Sequence, residues 1–233
     1  MTFDAVRKPL FALIGVTLLA AVLAQVLPEA HAATGVGLCF LGATYFLVWR
    51  HDTATIREFG LGLGGLFETE PLDPKKLAST ATRALGWAFS LALIVLPGFA
   101  IGYRLWYQPR GPFEAAPWLE LLEQVPGQLL GTAFPEEAFY RGYAQSALDR
   151  AWPPKRRYLG IALGPGVLLS SAVFAAGHFL TQPVPGRLAV FFPSLLFGAL
   201  RARTGGIGAS VVFHASCNLF VWYLGRSYGL FRA

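Results

Sequence analysis

Apolar runs of near-membrane length recur from one end of the chain to the other, joined by short polar connections. A helix needs about 20 mainly apolar residues to cross the hydrocarbon of a bilayer. On that rule the first span runs from near Leu10 to Leu27, and a turn at Pro28 to His31 leads into a second that ends near Trp49. Polar residues from Arg50 to Arg83 predict the longest loop, and a third span follows from about Ala84 to Trp106. A connection with Pro109, Gly111, Pro112 and Pro117 is rich in chain breakers. The fourth segment reaches from Trp118 to Leu148, with a kink expected at Pro126 and Gly127, and a second break or fresh helix start at Pro135. The fifth starts at Tyr158 or Pro165 and ends at Leu180; the sixth runs from Leu188 to Leu200, extendable back to Pro185; the seventh runs from Ile207 to Leu224. The pattern predicts an all-α, polytopic bundle of about seven transmembrane helices, with residues 1–233 forming a single domain.

Composition agrees. Hydrophobic residues make up 55% of the chain and charged ones 14%, where a soluble domain carries about a quarter charged. The net charge of +6 does not point to nucleic acid, because the basic residues fall in the connections between apolar runs. Placing the N-terminus inside puts thirteen Lys and Arg on the inner side, from Arg7 and Lys8 to Arg201 and Arg203, and five on the outer side: Arg104, Arg110, Arg187, Arg226 and Arg232. This asymmetry is the one the positive-inside rule expects. Cys39 and Cys217 each sit in an apolar run, which argues against a disulfide framework. The glycine run from Gly60 to Leu66 lacks both a preceding strand and the closing Gly-Lys-Ser/Thr of a phosphate loop, so it reads as a connector.

Against this background the exceptions carry the chemistry. Phe134-Pro135-Glu136-Glu137-Ala138-Phe139-Tyr140-Arg141 puts three ionisable groups into the fourth apolar segment. A charge at the centre of a membrane helix costs about 2.5–3.5 kcal/mol on insertion scales, so such groups need partners. Glu137 and Arg141, four apart, can pair on one helical face; Glu136 is left without a local counter-charge. In the fifth segment Phe174 and His178 share a face, and in the seventh His214 and Asn218 do the same. Each group alone is as readily helix-packing glue as a catalyst. Together they suit water activation against a carbonyl: Glu136 with His178 as the general base, and a neutral His214 with the Asn218 amide as donors to the developing oxyanion.

Glu-Glu-x-x-x-Arg at Glu136 to Arg141, Phe-x-x-x-His at Phe174 to His178 and His-x-x-x-Asn at His214 to Asn218 resemble, in order, the three motifs of the CPBP family of CAAX prenyl proteases, bacteriocin-processing and Abi-type membrane proteins. They lie within residues 134–220. The resemblance implies an intramembrane endopeptidase of glutamate type that hydrolyses a peptide bond in a membrane-anchored protein, near its C-terminus, by sorting-tail or CAAX-like processing. Glu136 and His178 would activate water, His214 and Asn218 would hold the oxyanion, and Glu137, Arg141 and Phe174 would support them. No cofactor is expected. A zinc-dependent version would have to use Glu136, His178 and His214, but His-Glu-x-x-His is absent and a comfortable zinc site has more His or Cys ligands. Because His178 lies near the far end of a span entered from the inside, the site falls in the outer half of the membrane. That position favours a myxosortase-like sorting branch, in the plasma membrane of a bacterium. The expected partners are a membrane-anchored protein substrate and the lipid bilayer.

Four rivals are weaker. Gly208-Ala209-Ser210-Val211 imitates a rhomboid serine motif but lacks its final Gly, and the nearby His214 stands on the same helix. All Asp residues fall in tails or loops, against an aspartyl protease. A non-catalytic immunity or scaffold protein on the same fold would keep its biological effect in Glu136→Gln, whereas an enzyme would lose it. An ion carrier would be expected to show internal repeats, and none is evident.

Overall fold

The computed structural model describes residues 3–230 apart from 156 and 159; Arg156 and Arg232 of the charge count lie outside them. Ten α-helices, short π and 3-10 segments and one two-residue hairpin make up the described chain. Helix α1 (Phe3–Val26) and α2 (Glu29–Thr44), which runs on as a π segment Tyr45–Trp49, form an antiparallel pair around Pro28. The stretch expected as the longest loop is partly helical. Asp52 caps α3 (Thr53–Glu58) through Thr55 N–H at 2.7 Å, and Asp73 caps α4 (Pro74–Tyr107) through Lys75 N–H at 2.9 Å. An Asp before a Pro at the first helical position is a strong start signal, so the third span begins ten residues earlier than its apolar run. With 34 residues, α4 is about 51 Å long at 1.5 Å per residue.

The fourth segment is one helical rod with two irregularities. α5 (Trp118–Pro126) passes into a π segment Gly127–Ala133, then α6 (Phe134–Glu137), a second π segment Ala138–Gln145, and α7 (Ser146–Ala151). Both proline breaks read from the sequence are absorbed as π turns, which open the ladder enough to take a residue that has no N–H. A hairpin pairs Arg157–Tyr158 with Ile161–Ala162, so α8 (Pro165–Thr181) starts at Pro165 and not at Tyr158. A 3-10 segment Pro185–Val190 leads to α9 (Phe191–Thr204), and α10 (Gly208–Ser227) closes the bundle.

Three helices, Ala5–Val26, Glu29–Trp49 and Pro74–Tyr107, are long and apolar enough to cross a membrane by length and composition. With 14 residues, α9 is about 21 Å long against a hydrocarbon core of about 30 Å. The sixth expected crossing is therefore not a full-length helix. The core gathers where the rod passes between α1, α2, α8 and α10, around Leu13, Phe40, Phe139, Tyr140 and Phe174. A second cluster of Ala88, Phe197, Leu200, Ala209 and Phe213 joins α4, α9 and α10. Leu93, Ile94, Leu105 and Trp106 of α4 point outward, 70–78% exposed, as a lipid-facing surface requires.

Candidate active site

All seven residues singled out from the sequence come from three elements that meet in the core. Glu136, Glu137 and Arg141 sit at the junction of α6 with the second π segment; Phe174 and His178 lie on the last turns of α8; His214 and Asn218 lie midway along α10. The expected Glu137–Arg141 pair forms, at 3.3 Å between Nη1 and Oε1, with both side chains fully buried. Arg141 Nη2 also donates to Ser194 Oγ at 2.6 Å and to Ser194 O at 3.1 Å. Its guanidinium lies 4.7 Å from the Phe174 ring centroid and 5.2 Å from that of Phe197. Phe174 thus has a role the motif did not disclose: it covers the buried cation that anchors Glu137.

Glu137 does more than bracket Arg141. Its Oε1 also meets His214 Nδ1 at 2.9 Å, and His214 is stacked on Phe197 at 4.5 Å with ring planes 14° apart. A carboxylate paired with a guanidinium only accepts, so His214 Nδ1 carries a proton. The other ring nitrogen, Nε2, faces Glu136 Oε2 at 3.7 Å. A neutral imidazole with its proton on Nδ1 has none on Nε2. With its proton on Nδ1, a neutral His214 therefore turns a lone pair, and not an N–H, toward Glu136.

His178 is oriented differently. Its Nδ1 lies 3.0 Å from Phe174 O, a carbonyl that accepts only, so Nδ1 donates and Nε2 keeps its lone pair. Glu136, His178 and Asn218 line one cavity of about 590 Å³. His214, 3% exposed, stands behind Glu136 and is not among the lining residues. Glu136 Oε2 is enclosed on the His214 side and has no hydrogen-bond partner among the described residues, and the 12% of the side chain that stays exposed is what a water in the cavity can meet. Tyr140 supports this wall: Thr17 Oγ1 donates to Leu13 O at 2.7 Å, and the Tyr140 hydroxyl then donates to Thr17 at 2.9 Å.

The zinc alternative can be tested on the donor set. Among the described residues no group of three or more His, Cys, Asp or Glu is arranged to hold a metal ion. His214 Nδ1 is already committed to Glu137, and no step below runs through a metal. Ser210, the candidate rhomboid nucleophile, is fully buried and donates to Phe197 O at 2.9 Å. Cys217 packs against the second cluster.

Sequence reasoning missed Ser194, Thr17 and the Glu137–His214 bond, none of which has a local signal. It also read Arg187 only as a charge in an outer connection and singled out nothing at Trp222, although both line the cavity.

Residues 118–220 match the family model described as type II CAAX prenyl endopeptidase Rce1-like. The matched segment contains all three motifs and agrees with the resemblance drawn from them. Such a family implies a protease with a protein substrate in a membrane setting. No curated protein and no solved structure matches the chain.

Proposed function

We propose that this chain, Rce1-like over residues 118–220, is a glutamate-type intramembrane endopeptidase that cuts a membrane-anchored protein near its C-terminus. The observation that carries the reading is the cavity of about 590 Å³ in which Glu136 meets His178 and Asn218, with one Glu136 oxygen enclosed and unpartnered. Glu136 takes a proton from water while the His178 Nε2 lone pair accepts the water's other hydrogen and orients it. The hydroxide oxygen bonds to the scissile carbonyl carbon, and the carbonyl oxygen becomes an oxyanion. The Asn218 amide, which lines the same cavity, is the donor to that oxyanion, and His214, bonded to Glu137, backs Glu136 from behind. The C–N bond then breaks, and the proton held by Glu136 passes to the leaving amine.

Orientation supports a substrate that arrives from outside. Lining residues come from the C-terminal halves of α1 and α10, the N-terminal half of α2 and the C-terminal end of α8. That end of the bundle is opposite the one bearing Arg50, Arg57, Lys75, Lys76, Arg150 and Arg203. By the positive-inside rule the cavity then opens away from the cytoplasm, in keeping with the myxosortase-like branch and a bacterial plasma membrane. The test is cleavage of a membrane-tethered reporter library by purified protein with and without a strong chelator. Cleavage that the chelator leaves untouched supports the glutamate mechanism; loss with chelator and rescue by zinc sinks it.

A further inference from the structure

Arg187 is the one Lys or Arg among the residues that line the cavity, which also holds Glu136 and His178. Arg141, Arg201 and Arg226 each hold at least one side-chain partner, although Arg141 Nε and Nη1 and Arg201 Nε are also buried without a hydrogen bond. Arg141 is held by Glu137 and Ser194, Arg226 by Glu120 through two bonds of 2.8 and 3.2 Å, and Arg201 by Ser146 Oγ at 3.0 Å. Arg187 differs in making neither an ion pair nor any side-chain hydrogen bond among the described residues, with its Nε buried. Its backbone is well fixed, inside the 3-10 segment Pro185–Val190 and tied by its N–H to Val184 O at 2.9 Å. An enclosed guanidinium donor without a partner is costly to retain unless something occupies it in use.

We infer that Arg187 reads the free α-carboxylate at the C-terminus of the substrate. A guanidinium fork matches a carboxylate with two parallel N–H bonds. Its place in the same cavity as Glu136 puts the scissile bond a short peptide segment upstream of that carboxylate. Glu136 is the one carboxylate among the lining residues and makes no ion pair with Arg187, so the site pairs an anion that handles water with a cation that selects the chain end. This rests on the protease reading and sharpens it: a substrate whose free carboxylate lies a few residues past the scissile bond reaches Arg187 with its terminus. A phosphate from a lipid headgroup has similar chemistry, and the test separates the two.

The probe is a fluorescein-labelled apolar pentapeptide made as the C-terminal acid and as the C-terminal amide. Anisotropy is read on full-length Glu136→Gln protein, in nanodiscs of zwitterionic lipid alone and with anionic phosphatidylglycerol added. The acid is expected to bind about 10- to 100-fold more tightly than the amide. Adding Arg187→Gln erases that preference, Arg187→Lys keeps part of it, and neither change alters affinity for the amide. Equal binding of acid and amide overturns the inference, as does a preference that survives Arg187→Gln. Acid binding that anionic lipid competes away, with no acid preference in its absence, assigns Arg187 to the headgroup. Because binding is read on inactive protein, an acid preference stands even if no reporter is ever cleaved, and cleavage without it refutes the carboxylate site alone.

Discussion

Glu136 and Glu137 are neighbours with opposite surroundings. Glu137 is fully buried and spends Oε1 on Arg141 and His214, while Glu136 borders the cavity and its nearest ionisable partner is His214 at 3.7 Å. Removing either member of a buried pair leaves an uncompensated charge, which costs about 3–5 kcal/mol. Arg141→Ala is accordingly expected to lower the unfolding temperature in detergent sharply, whereas Glu136→Gln leaves it near the wild-type value. Asn218→Ala is expected to cut kcat about 100- to 1000-fold with little change in stability, the usual effect of losing an oxyanion donor; an unchanged kcat would remove Asn218 from the chemistry. The three motifs were legible because each is a helical spacing within one segment. The His214–Glu137 bond, 77 residues apart in sequence, was not, since nothing local encodes which face of α10 meets which face of the rod. Which ring nitrogen of His214 carries its proton depends on that bond and had no signal without it.

At the level of elements, the prolines marked where the rod is irregular, and the breaks at Pro126 and Pro135 fell beside π segments. That the chain stays helical through them was not legible, because the neighbours that hold the π turns are supplied by packing. The start of α4 was legible in Asp73-Pro74, but hydropathy alone outweighed that signal. One close approach sets the cavity wall: a Cβ on Gly37 of α2 would come within 2.9 Å of Gly131 O on the rod. Gly37→Leu is expected to force the two apart and cost about 1–3 kcal/mol, read as a lower unfolding temperature, while Gly15→Leu, with nothing within 4 Å, is expected to be tolerated. In the segment before α4, Glu68 receives Arg57 Nε at 2.9 Å and Lys76 Nζ at 2.6 Å. The hydrogen bond from Arg57 holds its carboxyl below the ordinary glutamate value of 4.5, against the desolvation that raises it. A depressed carboxylate stabilises above its unfolded value and loses that effect as pH falls through the folded one. Proteolytic nicking between residues 59 and 73 is expected to rise as pH drops below the ordinary range, and to be high at all pH values in Glu68→Gln.

For the whole molecule, the bundle class follows from the recurrence of apolar runs, and the number of crossings does not. Short α9 and the stretch 134–145 of the rod pack against longer helices, so their lengths answer to packing more than to bilayer thickness. Sidedness can be checked with single cysteines in a Cys39→Ser, Cys217→Ser background. Glu29→Cys, at the exposed turn beside the cavity, is expected to react with an impermeant maleimide in intact cells, and exposed Lys155→Cys only after lysis; the reverse pattern would turn the cavity toward the cytoplasm. The central claim is that the Glu136 carboxylate does the chemistry. The most direct measurement is single-turnover cleavage of a membrane-tethered reporter by wild type and Glu136→Gln, at matched abundance in the same nanodiscs. Abolished cleavage in Glu136→Gln, with reporter binding retained, is the predicted result; cleavage at a rate near wild type would contradict it.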